Sequence, residues 1–96
     1  MNLLTLEHFA ASLNETFVAE KDGGACFVLV EARPLQAAVS LALTRAPFSL
    51  LFRNGSPILF SQKTFQLKHA AFGEIGIFLV PVARDRDGFL YQAVFN

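Results

Sequence analysis

The chain has 96 residues, of which 53% are hydrophobic, and its eight basic residues balance eight acidic ones. This length indicates a single domain, residues 1–96, with room for one hydrophobic core. Because the sequence has no basic run, its composition argues against nucleic-acid binding, and a net charge of zero favours self-association over mutual repulsion.

The cysteine content and the apolar runs bear on the compartment. A single cysteine, Cys26, excludes an internal disulfide and favours a reducing environment. The segment from Met1 to His8 has no Lys or Arg and does not look like a secretory signal. The longest nearly apolar runs, Leu35–Leu43 and Ile75–Ala83, are shorter than the roughly 20 residues that a membrane-spanning helix requires. We therefore expect a cytoplasmic protein without a membrane span.

The first predicted element is a short amphipathic helix from Thr5 to Leu13, ended by Asn14. Thr5 suits the N-cap position, and Glu7 suits the first turn, where the helix dipole favours negative charge. Apolar residues at i, i+3, i+4 and i+7 form one stripe. Because so short a helix is not stable alone, this stripe is expected to pack on a sheet. The stripe consists of Leu6, Phe9, Ala10 and Leu13.

Several short segments have the alternation and the composition that predict β-strands. Lys21–Gly24 and Asn54–Pro57 are turn signals between them, and the glycines of the first turn are free to adopt positive φ. Ile58–Phe60 is interpreted either as a brief strand or as a loop that plugs the core. The predicted strands are Thr16–Glu20, Cys26–Ala32, Phe48–Arg53 and Thr64–Lys68.

The strand Cys26–Ala32 is predicted to be central in the sheet, because both of its faces are largely apolar. Phe27, Leu29 and Glu31 share one face. Pro34 should end the strand, since proline cannot donate a hydrogen bond to a neighbouring strand.

The segment Leu35–Arg45 is compatible with two structures. Its alanines and leucines allow a helix, whereas apolar residues at every second position from Val39 to Leu43 favour a strand. We predict a strand here and keep the helix as the alternative.

The last part of the chain, Glu74–Asn96, predicts a β-hairpin. Two apolar, β-prone runs flank a charged turn that ends at Gly88, which should have positive φ. Pro81 indicates that the first arm lies at an edge or carries a bulge. The second arm has Phe89, Tyr91, Ala93 and Phe95 on one face and Leu90, Gln92 and Val94 on the other.

Together these elements predict a mostly β fold, a small antiparallel barrel or sandwich of about six or seven strands with one short N-terminal helix. The helix is expected to cover one opening of the sheet. Repeats, linkers and low-complexity segments do not occur in the sequence.

Strings along nearly the whole chain, except Leu35–Arg45, resemble the bacterial DUF6916 family of small domains of unknown function. The resemblance implies a fold but no catalytic residue, because the matching positions are of the core and turn type. It also implies a setting beside phage-tail-like genes, which slightly favours a structural role. The matching strings are Leu4–Phe9, Pro47–Arg53 and Phe78–Val82, followed by Asp87, Gly88, Tyr91 and Ala93–Asn96.

Motifs for catalysis or cofactor binding do not appear in the sequence. His8 and His69 lie far apart and lack the close spacing of metal ligands. Cys26 opens an apolar strand and is predicted to be a buried, inert thiol. The loop that starts at Asp85 lacks the glycine and glutamate positions of a calcium-binding loop. We therefore expect no cofactor and no metal.

Glu31 is the most unusual polar residue, because it lies in a strand that otherwise reads as buried. A buried carboxylate has to be paired or hydrogen-bonded, and either Arg33 or Arg53 could be its partner. The alternative is that Glu31 binds a ligand at the mouth of a barrel.

The first functional hypothesis is a non-catalytic interaction or assembly module. It depends on the missing catalytic motifs, the zero net charge and eleven phenylalanines, more than a small core needs. Both faces of the last strand are apolar although a barrel buries only one, so we expect a homodimer whose contact uses the closing hairpin, with Phe89, Tyr91 and Phe95 as interface candidates.

The alternative function is a small-molecule-binding barrel with an apolar pocket lined by phenylalanines. An enzymatic function would require Glu31, His69 or Cys26 to come together, since catalytic groups lie within mutual hydrogen-bond reach. The phenylalanines expected to line such a pocket include Phe27, Phe52 and Phe78.

Overall fold

The structure, a computed structural model, describes residues 4–35 and 47–95. Within these ranges, six antiparallel strands form a closed barrel in the order β1-β2-β3-β6-β5-β4, preceded by one short helix, so the fold is the barrel and not the sandwich. Except for Leu35, the predicted strand Leu35–Arg45 lies outside the described residues. The elements are α1 (Leu6–Ala10), β1 (Thr16–Ala19), β2 (Ala25–Pro34), β3 (Phe48–Asn54), β4 (Lys63–His69), β5 (Gly73–Asp85) and β6 (Gly88–Phe95).

Helix α1 begins as predicted and ends earlier than predicted. The Thr5 hydroxyl caps it by accepting a hydrogen bond from the backbone N–H of His8 at 3.4 Å. Phe9 is fully buried, but Ala10 and Leu13 are exposed, which corrects the predicted four-residue stripe. The reason is that helical structure stops at Ala10, so Leu13 no longer lies above Phe9. Within the described ranges, no helix is long and apolar enough to cross a membrane.

Strands β1 and β2 form the first hairpin, in which Phe17 opposes Phe27. A single turn of 3-10 helix connects them, and Gly23 and Gly24 follow it with φ of 73° and 76°, as the sequence predicts. The ring closes where β1 meets β4, with Val18 opposite Lys68.

Strand β2 carries a β-bulge that decides which residues face inward. Leu29 opposes Phe52 on β3, but Glu31 opposes the next residue of β3, Leu51, so β2 has one extra residue there. The extra residue reverses the alternation, and Glu31 faces outward. The prediction that Glu31 shares a face with Phe27 and Leu29 is therefore wrong, whereas the end of β2 at Pro34 is confirmed.

Strands β5 and β6 form the predicted closing hairpin, joined by a two-residue turn between Asp85 and Gly88. Gly88 has φ of 136°, and a Cβ there would come within 2.1 Å of the carbonyl oxygen of Asn54. Only glycine fits this contact. The register shifts between Pro81 and Ala83, which confirms the bulge that Pro81 predicts.

The barrel has two ends, each closed by an aromatic side chain. At the helix end, beside α1 and the β4–β5 turn, Phe9 stacks on Phe72 with ring centroids 4.6 Å apart. At the turn end, beside the β5–β6 turn and the loop 55–62, Phe60 packs against Phe27 and Tyr91. The segment Ile58–Phe60 is therefore a loop and not a strand, and its residue Phe60 is the plug, whereas Ile58 and Leu59 are exposed.

Candidate functional site

The two residues singled out for ion pairing, Glu31 and Arg53, do not meet. On β3, Arg53 lies opposite Val28, while Glu31 pairs with Arg33 on its own strand. The side chains of Glu31 and Arg33 are 36% and 66% exposed, so this ion pair lies on the surface. Glu31 is thus neither a buried carboxylate nor a group inside a barrel mouth, because the β2 bulge turns it outward.

Arg53 instead binds Asp85 at the turn end. Its Nη2 donates to Asp85 Oδ2 at 2.7 Å, and the backbone N–H of Asp87 donates to Asp85 Oδ1 at 2.9 Å. The hydrogen bond from Arg53 lowers the pKa of Asp85 below its ordinary value, and the same bond raises the pKa of Arg53. This pair fastens the β5–β6 turn to β3, which is a structural role.

The three interface candidates lie on the inner side of β6. Tyr91 is completely buried, and its hydroxyl accepts a hydrogen bond from the backbone N–H of Phe60 at 2.9 Å. Phe89 and Phe95 are partly buried and pack against the core. Tyr91 is therefore not accessible to another chain, because barrel closure turns this face of β6 inward, whereas Phe89 and Phe95 keep part of their surface exposed and stay interface predictions.

The outer face of the β5–β6 hairpin carries three of the exposed large apolar side chains, and Leu13, Ile58 and Leu59 are exposed elsewhere. Phe78, Val82 and Val94 are 52%, 49% and 51% exposed. Val94 opposes Ser49 on β3, and Phe78 opposes Thr64 on β4, so this face lies between two small polar residues. We call Phe78, Val82 and Val94 the hairpin patch.

The three phenylalanines predicted to line a ligand pocket are not together. Phe27 and Phe52 are fully buried in the core, where Phe27 packs edge-on against Tyr91 and Phe52 packs edge-on against Phe17. Phe78 lies on the outside of the barrel. Packed aromatic rings thus occupy the positions where this cavity was expected.

A pocket does exist, but at the helix end and outside the barrel. It has a volume of about 740 Å³ and lies between α1 and the β4–β5 turn. Sequence reasoning missed it, because its walls come from segments that are far apart in the chain. It is lined by Leu4, Glu7, His8, Ala11, Ser12, Glu15, Ala71, Phe72 and Ile75.

His69 stands beside this pocket with both ring nitrogens engaged. Nε2 lies 2.6 Å from Glu15 Oε1, and Nδ1 accepts a hydrogen bond from the backbone N–H of Ala71 at 3.0 Å. This bond makes Nε2 the protonated nitrogen, which donates to Glu15. The ring also stacks on Phe17 at 4.3 Å. Because neither nitrogen is available to accept a proton from a nucleophile, His69 has no geometry for general-base catalysis.

The remaining reactive residue, Cys26, is exposed, which corrects the prediction that it is buried. Phe27 points into the barrel, so its neighbour Cys26 points out, and a barrel covers only the inner face of a strand. Its thiol lies at the turn end, 3.6 Å from the carbonyl oxygen of Gly24. Among the described residues no three His, Cys, Asp or Glu side chains form a group that could hold a metal ion.

Comparison with known proteins adds one match. A family model described as "Domain of unknown function (DUF6916)" matches residues 4–95. No curated protein and no solved structure matches the chain.

Proposed function

Because the chain belongs to the DUF6916 family, whose description assigns no activity, we propose from its structure that it is a non-catalytic assembly module. Its partner in this proposal is a second copy of the same chain, bound through the hairpin patch. The observation that carries the proposal is the half-exposed state of Phe78, Val82 and Val94 on one side of a barrel whose interior is packed.

The patch is part of a wider apolar face. Further residues on the same side of β5 and β6 extend this face. Val80 lies opposite Gln92, and Ala83 lies opposite Leu90. The β5 bulge adds Val82 to this face. Exposed apolar side chains that lie side by side mark an interaction site, because burying apolar surface in a contact contributes about 25 cal/mol per Å².

The charges beside the patch suit a second copy. Across the sheet, Val94 on β6 opposes Ser49 on β3, which in turn opposes Arg33 on β2. In the same way, Gln92 opposes Leu51, which opposes Glu31. The acidic Glu31 and the basic Arg33 therefore both lie on β2, on the same side of the apolar face. A twofold axis can set Glu31 of one copy against Arg33 of the other, so the face is complementary to itself.

The test is the mass in solution. Twice the chain mass of 10.5 kDa is 21.0 kDa, and we expect this dimer mass by light scattering at tens of micromolar protein. Phe78→Ser should give the monomer mass with an unchanged circular dichroism spectrum. Leu59→Ser is the matched control, because Leu59 is 54% exposed but lies on the loop at the turn end.

Two results would contradict this assembly. A monomer mass for the unmodified chain removes it outright. Equal loss of the dimer in the Phe78 and Leu59 variants would show that exposed apolar residues associate without a specific face. A cytoplasmic location, consistent with the single exposed thiol, and a structural role beside phage-tail-like genes belong to the same proposal.

A further inference from the structure

The pocket at the helix end, which the assembly proposal does not use, has the dimensions of a small-molecule site. Its volume of about 740 Å³ falls in the range of roughly 300–1,000 Å³ typical of such sites. Phe72 and Ile75 give it an apolar wall, and Ala11 and Ala71 leave space beside them. Phe72 is held in place by its stacking on Phe9.

The polar groups of this pocket are all hydrogen-bond acceptors or can act as acceptors. Glu7 and Glu15 supply two carboxylates, and the lining residues include no Lys or Arg. Ser12 is only 4% exposed, which makes it the most buried polar side chain of the lining. A hydroxyl has acceptor lone pairs, so Ser12 can accept a hydrogen bond from a ligand that enters the pocket.

Glu15 is oriented by the protein. Its Oε1 accepts the hydrogen bond from His69 Nε2, and His69 is in turn fixed by Ala71 and by stacking on Phe17. The other carboxylate oxygen is left for a ligand, since the Glu15 side chain is 52% exposed. The site thus combines one oriented carboxylate, one exposed carboxylate on α1 and one buried hydroxyl.

We propose that this pocket binds a small molecule that joins an apolar body to a primary ammonium group. An ammonium group has three N–H donors and no acceptor, which matches the acceptors of Glu7, Ser12 and Glu15. The two carboxylates of Glu7 and Glu15 favour a cation over an anion. A metal ion is not the occupant, because His8 and the two carboxylates do not form a group that could hold one.

The experiment is an NMR titration near pH 7 at low salt with three probes of the same shape. 2-Phenylethylamine carries the charge, 2-phenylethanol is neutral, and phenylacetate is negative. We expect the amine to bind at least tenfold more tightly than phenylacetate. The largest amide shifts should be those of Ala71, Phe72 and Ile75.

Two substitutions test the assigned groups. Glu7→Gln and Glu15→Gln should each weaken amine binding at least threefold and leave the binding of 2-phenylethanol unchanged. Glu20→Gln is the matched control, because Glu20 is an exposed carboxylate paired with Lys68 away from the pocket. Glu7→Gln keeps the test valid if Glu15→Gln disturbs His69, since no side-chain contact holds Glu7 in the described structure.

Three results would overturn the proposal: equal binding of the three probes, shifts confined to residues outside the pocket, or amine binding that survives both substitutions. The titration is independent of the assembly proposal. Repeated on the Phe78→Ser variant, whose substitution lies on the barrel wall, it should give the same affinities whether or not the chain forms a dimer.

Discussion

The two ends of the barrel are closed in different ways. At the turn end, a backbone contact supplements the aromatic plug Phe60: Gly88 approaches Asn54 so closely that no side chain fits, and the Arg53–Asp85 ion pair fastens the same turn. At the helix end, the five residues of α1 cover the opening with the side chain of Phe9 and leave a pocket beside it. The pocket at the helix end has a volume of about 740 Å³, whereas the pocket beside the β5–β6 turn has only about 170 Å³, because the direct backbone contact there leaves less space.

The largest effect should come from the backbone contact at the turn end. Gly88→Val adds a side chain at positive φ and within 2.1 Å of a backbone oxygen, so we expect a loss of about 3–5 kcal/mol or a failure to fold. Gly23→Val provides a comparison, because Gly23 also has positive φ but no atom within 4 Å of a built Cβ. Chemical denaturation measures both. Equal losses would mean that the close approach to Asn54 contributes nothing.

The aromatic plugs of the two ends should differ in their contribution. Phe9 is fully buried, so Phe9→Ala should cost about 3 kcal/mol through lost burial and the cavity it leaves. Phe60 is only partly buried and is held by its backbone bond to Tyr91, so Phe60→Ala should cost about half as much. Urea unfolding measures the loss of stability in both variants. A larger loss for Phe60→Ala than for Phe9→Ala would contradict the expectation.

The ion pair at the turn end should make stability depend on pH. The pKa of Asp85 is lowered in the folded state, chiefly by the hydrogen bond from Arg53. The stability that the ion pair contributes is therefore fully present above the ordinary Asp pKa of about 4 and is lost as the pH falls through the lowered pKa. Asp85→Asn keeps an acceptor for Asp87 but removes the charge. The variant should be less stable than the parent at pH 7, and the difference should shrink in acid. A difference that does not change between pH 7 and pH 2 would exclude the ion pair as its cause.

The smallest effect should come from the ion pair on the helix-end half of β2. Glu31 and Arg33 are exposed, so Glu31→Ala should change the free energy of unfolding by no more than about 0.5 kcal/mol. A loss of about 3 kcal/mol, as expected for a buried pair, would show that Glu31 is inside after all. Thermal unfolding of a monomeric background such as Phe78→Ser separates this effect from any role of Glu31 in assembly.

The sequence was enough to predict features set by local chemistry. The closing hairpin, the positive φ of Gly88, the bulge at Pro81 and the end of β2 at Pro34 all follow from what glycine and proline permit in the backbone. The N-cap at Thr5 has the same kind of cause. These features need no knowledge of distant segments.

The surfaces were decided by the tertiary structure. Alternation separates the two faces of a strand but does not say which face is inside, so Tyr91 was assigned to an interface and Cys26 to the core. The β2 bulge, which carries no glycine or proline, moved Glu31 to the outside without a local signal. The pocket joins Glu15 to Ala71 and Phe72 only because the ring closes between β1 and β4. Closure of the barrel is a property of the whole sheet, and it determined both where the pocket lies and which apolar residues stay exposed.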